Sequence, residues 1–228
     1  MRERMSEPMP LWIKICGNTS LEDAELAASA GADAVGFVFA PSPRQVTPLQ
    51  VAAITPHLPR ALEKIGVFVD LDFGRIAATV DACGLTGVQL HGSPETESNL
   101  RLTKELRARF NSSLRILEVI HYGPEAAEQL REASANHTLD GVLVDSRTAN
   151  AFGGTGIAYD WQAARGTLFA ETSPLRLIAA GGLNPGNVAE AITILRPWGV
   201  DVVTGVEESP GRKDPEKVSA FVAAARRA

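Results

Sequence analysis

Short apolar runs alternate with longer amphipathic segments along almost the whole sequence, and this alternation restricts the folds that the chain can adopt. Strands are predicted at residues 12–16, 34–39, 64–69, 87–90, 115–120, 141–145, 175–179 and 200–204. Most of them are near-continuous runs rich in valine and isoleucine, which is typical of parallel strands buried on both faces. A helical segment follows each strand. The chain is therefore predicted to be an α/β protein built from repeated βα units.

The helical segments are bounded by residues that favour helix ends. Ser20 precedes an amphipathic run with Asp23 three residues later, a variant of the capping box, and Gly31 follows the run. Asn184 and Asp214 are each followed by proline, so each is predicted to cap a helix whose first residue is that proline. These signals place helices between the predicted strands.

Eight βα units in 228 residues match the size of a (β/α)8 barrel, also called a TIM barrel. A doubly wound open sheet is the structural alternative. The sequence has no linker or low-complexity tract that would mark a domain boundary. We therefore expect a single catalytic barrel domain over residues 11–228, preceded by a flexible N-terminal extension over residues 1–10.

The composition argues against several classes of function. A net charge of −5 without a long basic run argues against a nucleic-acid-binding face. The two cysteines, Cys16 and Cys83, have no metal-ligand spacing and are too few for a disulfide framework. The sequence has no signal-peptide pattern and no run that could span a bilayer. We expect a cytoplasmic protein that acts on a small molecule and has no membrane partner.

In a barrel of this kind, residues at the C-terminal ends of the strands surround one mouth and carry the function. The polar residues at or just after the predicted strand ends are a thiol, two carboxylates, two imidazoles and an arginine: Cys16, Asp70, Asp145, His91, His121 and Arg44. Glycine-rich loops after the last two strands, at Gly181-Gly182 and Gly205, lie where such barrels commonly bind phosphate through backbone N–H groups. This combination is typical of an active site.

Cys16 is the strongest candidate for a catalytic residue. A lone cysteine is most often a small buried hydrophobe, and Cys83 is interpreted in that way. Cys16 instead ends a strand, and the helix that begins near Ser20 is expected to lower the pKa of its thiol. Lys14, two residues earlier, points to the same side of the strand and would add a positive charge near the sulfur.

Asp145 ends an apolar run, where a carboxylate is either satisfied by the following turn or used in chemistry. Opposite a thiol across a barrel mouth, it would complete an acid/base pair. Asp70 has the same position on the third strand but is interpreted as a loop cap. Arg44 is either a solvated loop arginine or, on its proline-stiffened loop, a clamp for a substrate carboxylate.

Several stretches, in their order along the chain, resemble those of the phosphoribosylanthranilate isomerase family of tryptophan biosynthesis. They are KICGNTSLEDA, GADAVGFVFAPSPRQV, GVFVD, GVQLHG, VLVDS, FGGTG…DW, AAGGLNPGNV and VDVVTGVEESPGRKD, which extend from Lys14 to about Asp214. The resemblance implies an Amadori rearrangement of N-(5′-phosphoribosyl)anthranilate to 1-(2-carboxyphenylamino)-1-deoxyribulose 5-phosphate. It also implies that the reaction requires no cofactor and no metal.

The same resemblance implies a role for each matching residue. Cys16 would be the general base and Asp145 the general acid. Arg44 would bind the anthranilate carboxylate, and Gln89 and His91 would line the substrate pocket. The phosphate would be bound by loops after the last three strands, which contain Gly154, Thr155, Gly156, Gly181, Gly182, Thr204 and Gly205.

Two other functions would suit the same fold. The related isomerase of histidine biosynthesis performs the same rearrangement on a bulkier substrate with two phosphates, but that family carries an aspartate where this chain has Cys16. A phosphate-binding barrel without activity would be expected to lack the base or the acid, and this chain has both. The assembly expected from the sequence is a monomer or a homodimer.

Overall fold

Eight parallel strands close into a barrel in which the order of the strands is their order along the chain. The computed structural model describes residues 11–92, 96–146, 159–169 and 175–228. The strands are β1 (Trp12–Ile15), β2 (Ala34–Val38), β3 (Glu63–Phe68), β4 (Gly87–Leu90), β5 (Arg115–His121), β6 (Gly141–Asp145), β7 (Arg176–Ala179) and β8 (Gly199–Val202). Pairing of β8 with β1 closes the ring. The predicted (β/α)8 barrel is confirmed, and the open sheet is excluded.

The helices connect successive strands on the outside of the barrel. They are α1 (Leu21–Ser29), α2 (Pro48–Ile54), α3 (Phe73–Cys83), α4 (Thr96–Phe110), α5 (Ala126–Ala135), α6 (Trp161–Thr167), α7 (Val188–Leu195) and α8 (Pro215–Arg227). Two short antiparallel strands, β9 (Glu207–Ser209) and β10 (Arg212–Lys213), form a hairpin between β8 and α8. Among the described helices, none has the length and apolar character that crossing a bilayer requires.

Two of the three predicted helix caps are present. The Ser20 hydroxyl accepts a hydrogen bond from the Asp23 N–H (3.2 Å), although the Asp23 carboxylate bonds to the Lys213 N–H rather than completing a capping box. Asp214 caps α8, and its carboxylate accepts from the N–H groups of the first turn.

The third predicted cap, at Asn184, is wrong in position. The helix begins at Val188, and the residue at its N-cap is Asn187. The Asn184 side chain instead accepts a hydrogen bond from the Gly186 N–H (2.8 Å). An asparagine that bonds to the backbone two residues later closes a local turn, and this turn delays the start of α7.

The N-terminal half of the barrel interior is filled by apolar side chains. The large ones in this layer come from alternate strands: Trp12, Ile65, Leu117 and Ile178. Three of the neighbouring strands provide glycines beside them, Gly87, Gly141 and Gly199, and a Cβ on Gly87 would lie 2.6 Å from Cδ1 of Ile65. Layers of side chains from alternate strands are the normal filling of such barrels. The interior is therefore closed at this end, and a ligand can enter only from the other.

Candidate active site

The two proposed catalytic residues lie at the C-terminal ends of their strands. Cys16 directly follows β1, and its N–H donates to the Val202 carbonyl (2.9 Å), which extends the β1–β8 pairing. Asp145 is the last residue of β6 and lies opposite His121 of β5. Because all eight strands are parallel, both residues belong to the same mouth. The two strands are three spacings apart, about 14 Å along the wall at about 4.8 Å per spacing.

The sulfur of Cys16 occupies space that a glycine leaves open. Cys16 is 3% exposed. A Cβ built on Gly36 of the adjacent β2 would overlap the Cys16 Sγ and would lie 3.0 Å from Cε of Lys14. Gly36 thus allows the thiol and the lysine side chain to lie side by side inside the barrel. This arrangement agrees with the prediction that both side chains point to the same side of β1.

Lys14 is fully buried and forms two hydrogen bonds inside the barrel. Its ammonium group donates to Oδ1 of Asp201 (2.8 Å) and to Oε1 of Gln89 (2.8 Å). Burial lowers the pKa of Lys14, but the negative charges of Asp201 and Cys16 more than offset this effect, so the pKa is raised. A permanent positive charge is therefore held beside the thiol.

The expected lowering of the Cys16 pKa is wrong. Burial raises the pKa of the thiol above its ordinary value, and this effect exceeds the opposing effect of Lys14. The negative charge of Asp201 also raises it, and the more distant Lys213 lowers it. The free-energy cost of removing the thiolate from water exceeds the electrostatic stabilisation that the nearby cations provide. The position of a residue at a strand end does not indicate how deeply its side chain is buried.

Gln89 links the buried lysine to His91 at the mouth. An ammonium group can only donate, so the Gln89 amide turns its oxygen toward Lys14 and its nitrogen toward His91. The Gln89 Nε2 lies 3.2 Å from Nε2 of His91, so the Gln89 side chain connects the two groups. The imidazole rings of His91 and His121 are 6.1 Å apart. The predicted pocket residues Gln89 and His91 therefore lie on the side of the mouth formed by β4 and β5.

Asp145 is buried close to a tyrosine that the sequence analysis did not identify. Asp145 is 5% exposed. Its backbone carbonyl accepts a hydrogen bond from the Tyr122 N–H (2.8 Å). Burial and the negative charge of Asp145 raise the pKa of Tyr159, so its phenol stays protonated. The rings of Tyr122 and Tyr159 stack with centroids 4.7 Å apart. Tyr122, whose ring stacks on that of Tyr159, is thus hydrogen-bonded to the backbone of Asp145.

Arg44 is a buried residue, so its interpretation as a solvated loop arginine is wrong. It is 6% exposed, and its Nε and Nη2 donate to the two carboxylate oxygens of Glu207 (2.7 and 2.5 Å). Its aliphatic part packs on Gly17, where a Cβ would lie 2.8 Å from Cδ of Arg44. The negative charge of Cys16 contributes to the raised pKa of Arg44, after the effects of Glu207. The side chain of Arg44 therefore packs on the residue that directly follows Cys16.

The glycine-rich loops after β7 and β8 pack against each other. Gly181 and Gly182 both have positive φ angles, +80° and +66°, which favour glycine. A Cβ on Gly205 would overlap the Leu183 carbonyl oxygen and would lie 3.0 Å from Cα of Asn184. Thr204 begins the short 3-10 turn that contains Gly205. The backbone of two predicted phosphate loops thus meets at one edge of the mouth, while Gly154, Thr155 and Gly156 lie outside the described residues.

The remaining candidates lie away from the interior. The Asp70 carboxylate pairs with the exposed Arg75 (2.5 Å), and the residue that caps the following helix is Asp72, so the interpretation of Asp70 as a loop cap is wrong. Cys83 is buried in the core outside the barrel, as predicted. Groups of three or more His, Cys, Asp or Glu side chains that could hold a metal ion do not occur in the described part of the chain.

Four residues near the site were not identified as candidates from the sequence: Tyr159, Asp201, Glu207 and Lys213. Asp201 lies within an apolar strand, where its alternation toward the interior could have identified it. Glu207 and Lys213 belong to a stretch of charged residues after β8 that resembles an exposed loop. Their burial depends on how the hairpin folds against β1, which the local sequence does not indicate.

Comparisons with known proteins agree with this geometry. Residues 13–224 match the family model described as N-(5′-phosphoribosyl)anthranilate (PRA) isomerase. The N-(5′-phosphoribosyl)anthranilate isomerase of Pelobacter propionicus is 42% identical over an alignment of 219 residues, which covers 94% of this chain and 95% of that protein.

Two solved structures are similar over nearly the whole chain. One shows monomers of the dimeric phosphoribosylanthranilate isomerase from Thermotoga maritima, with 31% identity, a TM-score of 0.76, and coverage of 96% of this chain and 100% of that chain. The other is a phosphoribosylanthranilate isomerase in complex with reduced 1-(o-carboxyphenylamino)-1-deoxyribulose 5-phosphate. It has 31% identity, a TM-score of 0.75 and the same coverage of both chains.

Proposed function

Because this chain belongs to the N-(5′-phosphoribosyl)anthranilate isomerase family, we propose that Cys16 is the general base and Asp145 the general acid of its reaction. The enzyme isomerises N-(5′-phosphoribosyl)anthranilate in tryptophan biosynthesis. The observation that carries the assignment is the burial of a thiol and a carboxyl group at the ends of two strands that open at the same mouth. An acid and a base on separate strands can act on different atoms of one sugar.

The proposed mechanism begins at the ribose ring. Protonated Asp145 donates its proton to the ring oxygen, the bond from that oxygen to C1 breaks, and the nitrogen lone pair forms the C=N bond of an iminium. The Cys16 thiolate removes the proton from C2, the released electron pair forms the C1=C2 bond, and the C=N π pair returns to nitrogen, which gives a neutral enolamine. Transfer of the hydroxyl proton from C2 oxygen to C1 gives the ketone. The product is an isomer of the substrate.

Lys14 is proposed to make this chemistry possible at a buried thiol. Burial opposes the thiolate, so a nearby cation is needed to stabilise the charged base. The ammonium group lies beside the sulfur and is held by Asp201 and Gln89.

Arg44 is proposed to bind the anthranilate carboxylate. Its two hydrogen bonds to Glu207 use one edge of the guanidinium, and an arginine has further N–H donors that can bind a second carboxylate. The packing of Arg44 on Gly17, the residue after Cys16, supports this role, because the carboxylate and the reacting carbon belong to one small molecule. Gln89 and His91 are proposed to line the pocket on the side of β4 and β5.

The phosphate is proposed to bind at the edge where the loops after β7 and β8 meet. The left-handed backbone of Gly181 and Gly182 and the close approach of Gly205 to the Leu183 carbonyl support this placement. Backbone N–H groups of such loops can bind an anion. The residues proposed to contribute are Gly154, Thr155, Gly156, Gly181, Gly182, Thr204 and Gly205.

The wider organisation is proposed as follows. Residues 11–228 form one catalytic domain after an N-terminal extension, because the barrel and its helices extend from Trp12 to Arg227. The protein is proposed to act in the cytoplasm on a phosphorylated small molecule, without nucleic-acid or membrane partners. The dimeric Thermotoga maritima relative, of which monomers have a solved structure, supports a monomer or a homodimer.

The test follows the loss of fluorescence as phosphoribosylanthranilate, made in situ, is consumed. Cys16→Ala and Asp145→Asn are each expected to lower kcat by about 10²–10⁴-fold, the usual contribution of a positioned acid or base. The matched controls are Cys83→Ala, at the other buried cysteine, and Asp70→Asn, at the carboxylate after β3. Both controls are expected to keep the wild-type kcat. Full activity of Cys16→Ala or Asp145→Asn would reject the assigned role.

A further inference from the structure

Three buried charged side chains form a cluster beside the mouth, and the proposed mechanism uses only one of them. Arg44, Glu207 and Lys213 are 6%, 6% and 3% exposed. Glu207 lies between the two cations. Its carboxylate accepts two hydrogen bonds from Arg44 (2.7 and 2.5 Å) and one from Nζ of Lys213 (3.2 Å). We name these three residues the buried charge cluster.

The cluster also contacts the backbone that carries the proposed base. The ammonium group of Lys213 donates to the carbonyl oxygen of Cys16 (2.6 Å). The backbone N–H of Lys213 donates to the Asp23 carboxylate (3.1 Å), which attaches the hairpin to α1. The hairpin therefore reaches both the proposed carboxylate-binding arginine and the main chain of Cys16. These contacts join segments that are far apart in the sequence.

Lys213 is the member of the buried charge cluster whose charge is unfavourable in the folded protein. Burial lowers the pKa of Lys213 even though Glu207 lies beside it, so the charged lysine is less favourable in the folded protein than in the unfolded chain. Burial also raises the pKa of Glu207, although Arg44 and Lys213 together bring it below its ordinary value. Apolar residues of similar volume often stabilise a protein better than a buried ion pair. The location of the cluster at the mouth therefore points to a role in the reaction.

We propose that Glu207 and Lys213 are positioning residues of the active site. Glu207 orients the guanidinium of Arg44 toward the substrate carboxylate, and Lys213 holds the main chain of Cys16 so that the sulfur points at the reacting carbon. The hairpin thereby sets the distance between the group that binds the substrate and the base that deprotonates it. This inference rests on the roles proposed above for Arg44 and Cys16.

The role of Glu207 is tested with a double-mutant cycle of Arg44→Ala and Glu207→Asp, using Glu208→Gln as the control. Asp keeps the charge but is too short to hold both cations, and the exposed Glu208 lies on the same hairpin. Glu207→Asp is expected to lower kcat/KM up to about 10²-fold, mainly through KM, because a misplacement of about 1 Å can have this effect. It is expected to cause no further loss in the Arg44→Ala background. Glu208→Gln is expected to keep the wild-type values.

The outcomes separate the two proposals. A wild-type kcat/KM for Arg44→Ala would reject the proposed role of Arg44 itself. If Arg44→Ala strongly lowers kcat/KM and Glu207→Asp does not lower it, positioning by Glu207 is rejected. It is also rejected if Glu207→Asp lowers kcat/KM by the same factor in the wild type and in the Arg44→Ala background. All variants are compared below their thermal unfolding midpoints. Glu207→Gln, which keeps the shape of the side chain, takes the place of Glu207→Asp if that variant does not fold.

The role of Lys213 is tested by comparing Lys213→Met with Lys213→Arg. Methionine removes the donor to the Cys16 carbonyl, whereas arginine keeps a positive donor. Lys213→Met is expected to lower kcat with a smaller change in KM, and Lys213→Arg is expected to recover part of the lost kcat. Unchanged kcat in Lys213→Met, or the same loss in both variants, would overturn the proposal.

Discussion

The thiol of Cys16 is surrounded by charges of both signs, and its reactivity depends on their balance. Lys14 and Lys213 lower its pKa, whereas Asp201 raises it and burial raises it most. The same burial that opposes the thiolate also removes water that would compete with these charges. A single charge change inside the barrel should therefore move the titration of the proposed base.

Lys14→Met is expected to shift the acidic limb of the pH profile of kcat/KM to higher pH. The pKa of Cys16 is already above its ordinary value, and the substitution removes the cation that lowers it most. The base must be deprotonated to act, so a higher thiol pKa reduces activity at the acidic end. The profile of kcat/KM reports the ionisation of the free enzyme.

Two further variants make this test specific. The double variant Lys14→Met with Asp201→Asn removes both members of the buried pair. Its acidic limb is expected to shift less than that of Lys14→Met alone, because Asp201 raises the thiol pKa. Lys64→Met removes a lysine that bonds to the Pro59 carbonyl outside the site, and it is expected to leave the limb unchanged. An acidic limb that stays in place in both Lys14 variants would contradict the electrostatic role of Lys14.

At the scale of single elements, the packing of β1 against β2 decides where the reactive side chain lies. Lys14 of β1 is paired with Ala34, and Ile15 with Val35, so Gly36 follows at the level of Cys16. Any side chain at that position would enter the space of the sulfur. The neighbouring strand therefore helps to define the position of the proposed base.

Gly36→Ala is expected to lower kcat by about 10²-fold or more, because the new Cβ displaces the Cys16 sulfur from its position. The backbone of β2 is extended at this point, so the fold should be retained. Activity is measured with the fluorescence assay and folding by circular dichroism. Gly166→Ala, in α6, is the control, because a Cβ there would meet nothing within 4 Å. Equal kcat values for the wild type and Gly36→Ala would contradict this account of the site.

At the scale of the whole molecule, the barrel interior has two different ends. The N-terminal end is filled by apolar side chains such as Trp12 and Leu117, and the C-terminal end holds the buried polar residues Lys14, Gln89 and Asp201. A packed layer at one end supplies stability, and the polar layer at the other end supplies chemistry. Stability and catalysis should therefore respond to different substitutions.

Leu117→Ala is expected to lower the free energy of unfolding by about 2–5 kcal/mol, the usual result of truncating a buried leucine. Leu117 is fully buried in the apolar layer. Urea unfolding measures the loss, and kcat of the folded variant is expected to stay near that of the wild type. Leu49→Ala is the matched control, because Leu49 is 82% exposed on α2 and should change stability little. A large decrease in kcat of the folded Leu117→Ala variant would show that the two ends of the barrel are not independent.

Much of this architecture follows from local patterns in the sequence. The predicted strands at residues 87–90 and 141–145 have the observed bounds, and the other strand bounds differ by one or two residues. The polar residues that end the strands, Cys16 and Asp145 among them, lie at one mouth. This follows because parallel strands with regular crossovers must all present the same end.

The sequence alone determined the barrel and the identity of the residues at its mouth, because apolar periodicity and strand ends are local properties. Only the tertiary structure decided which charges surround those residues. Lys14 and Asp201 are 187 residues apart in the chain, and Lys213 and Cys16 are 197 apart, yet each pair is hydrogen-bonded and buried. Burial and charge pairing depend on distances in space, so the raised pKa of Cys16 and the pairing of Arg44 with Glu207 could be read only from the folded chain.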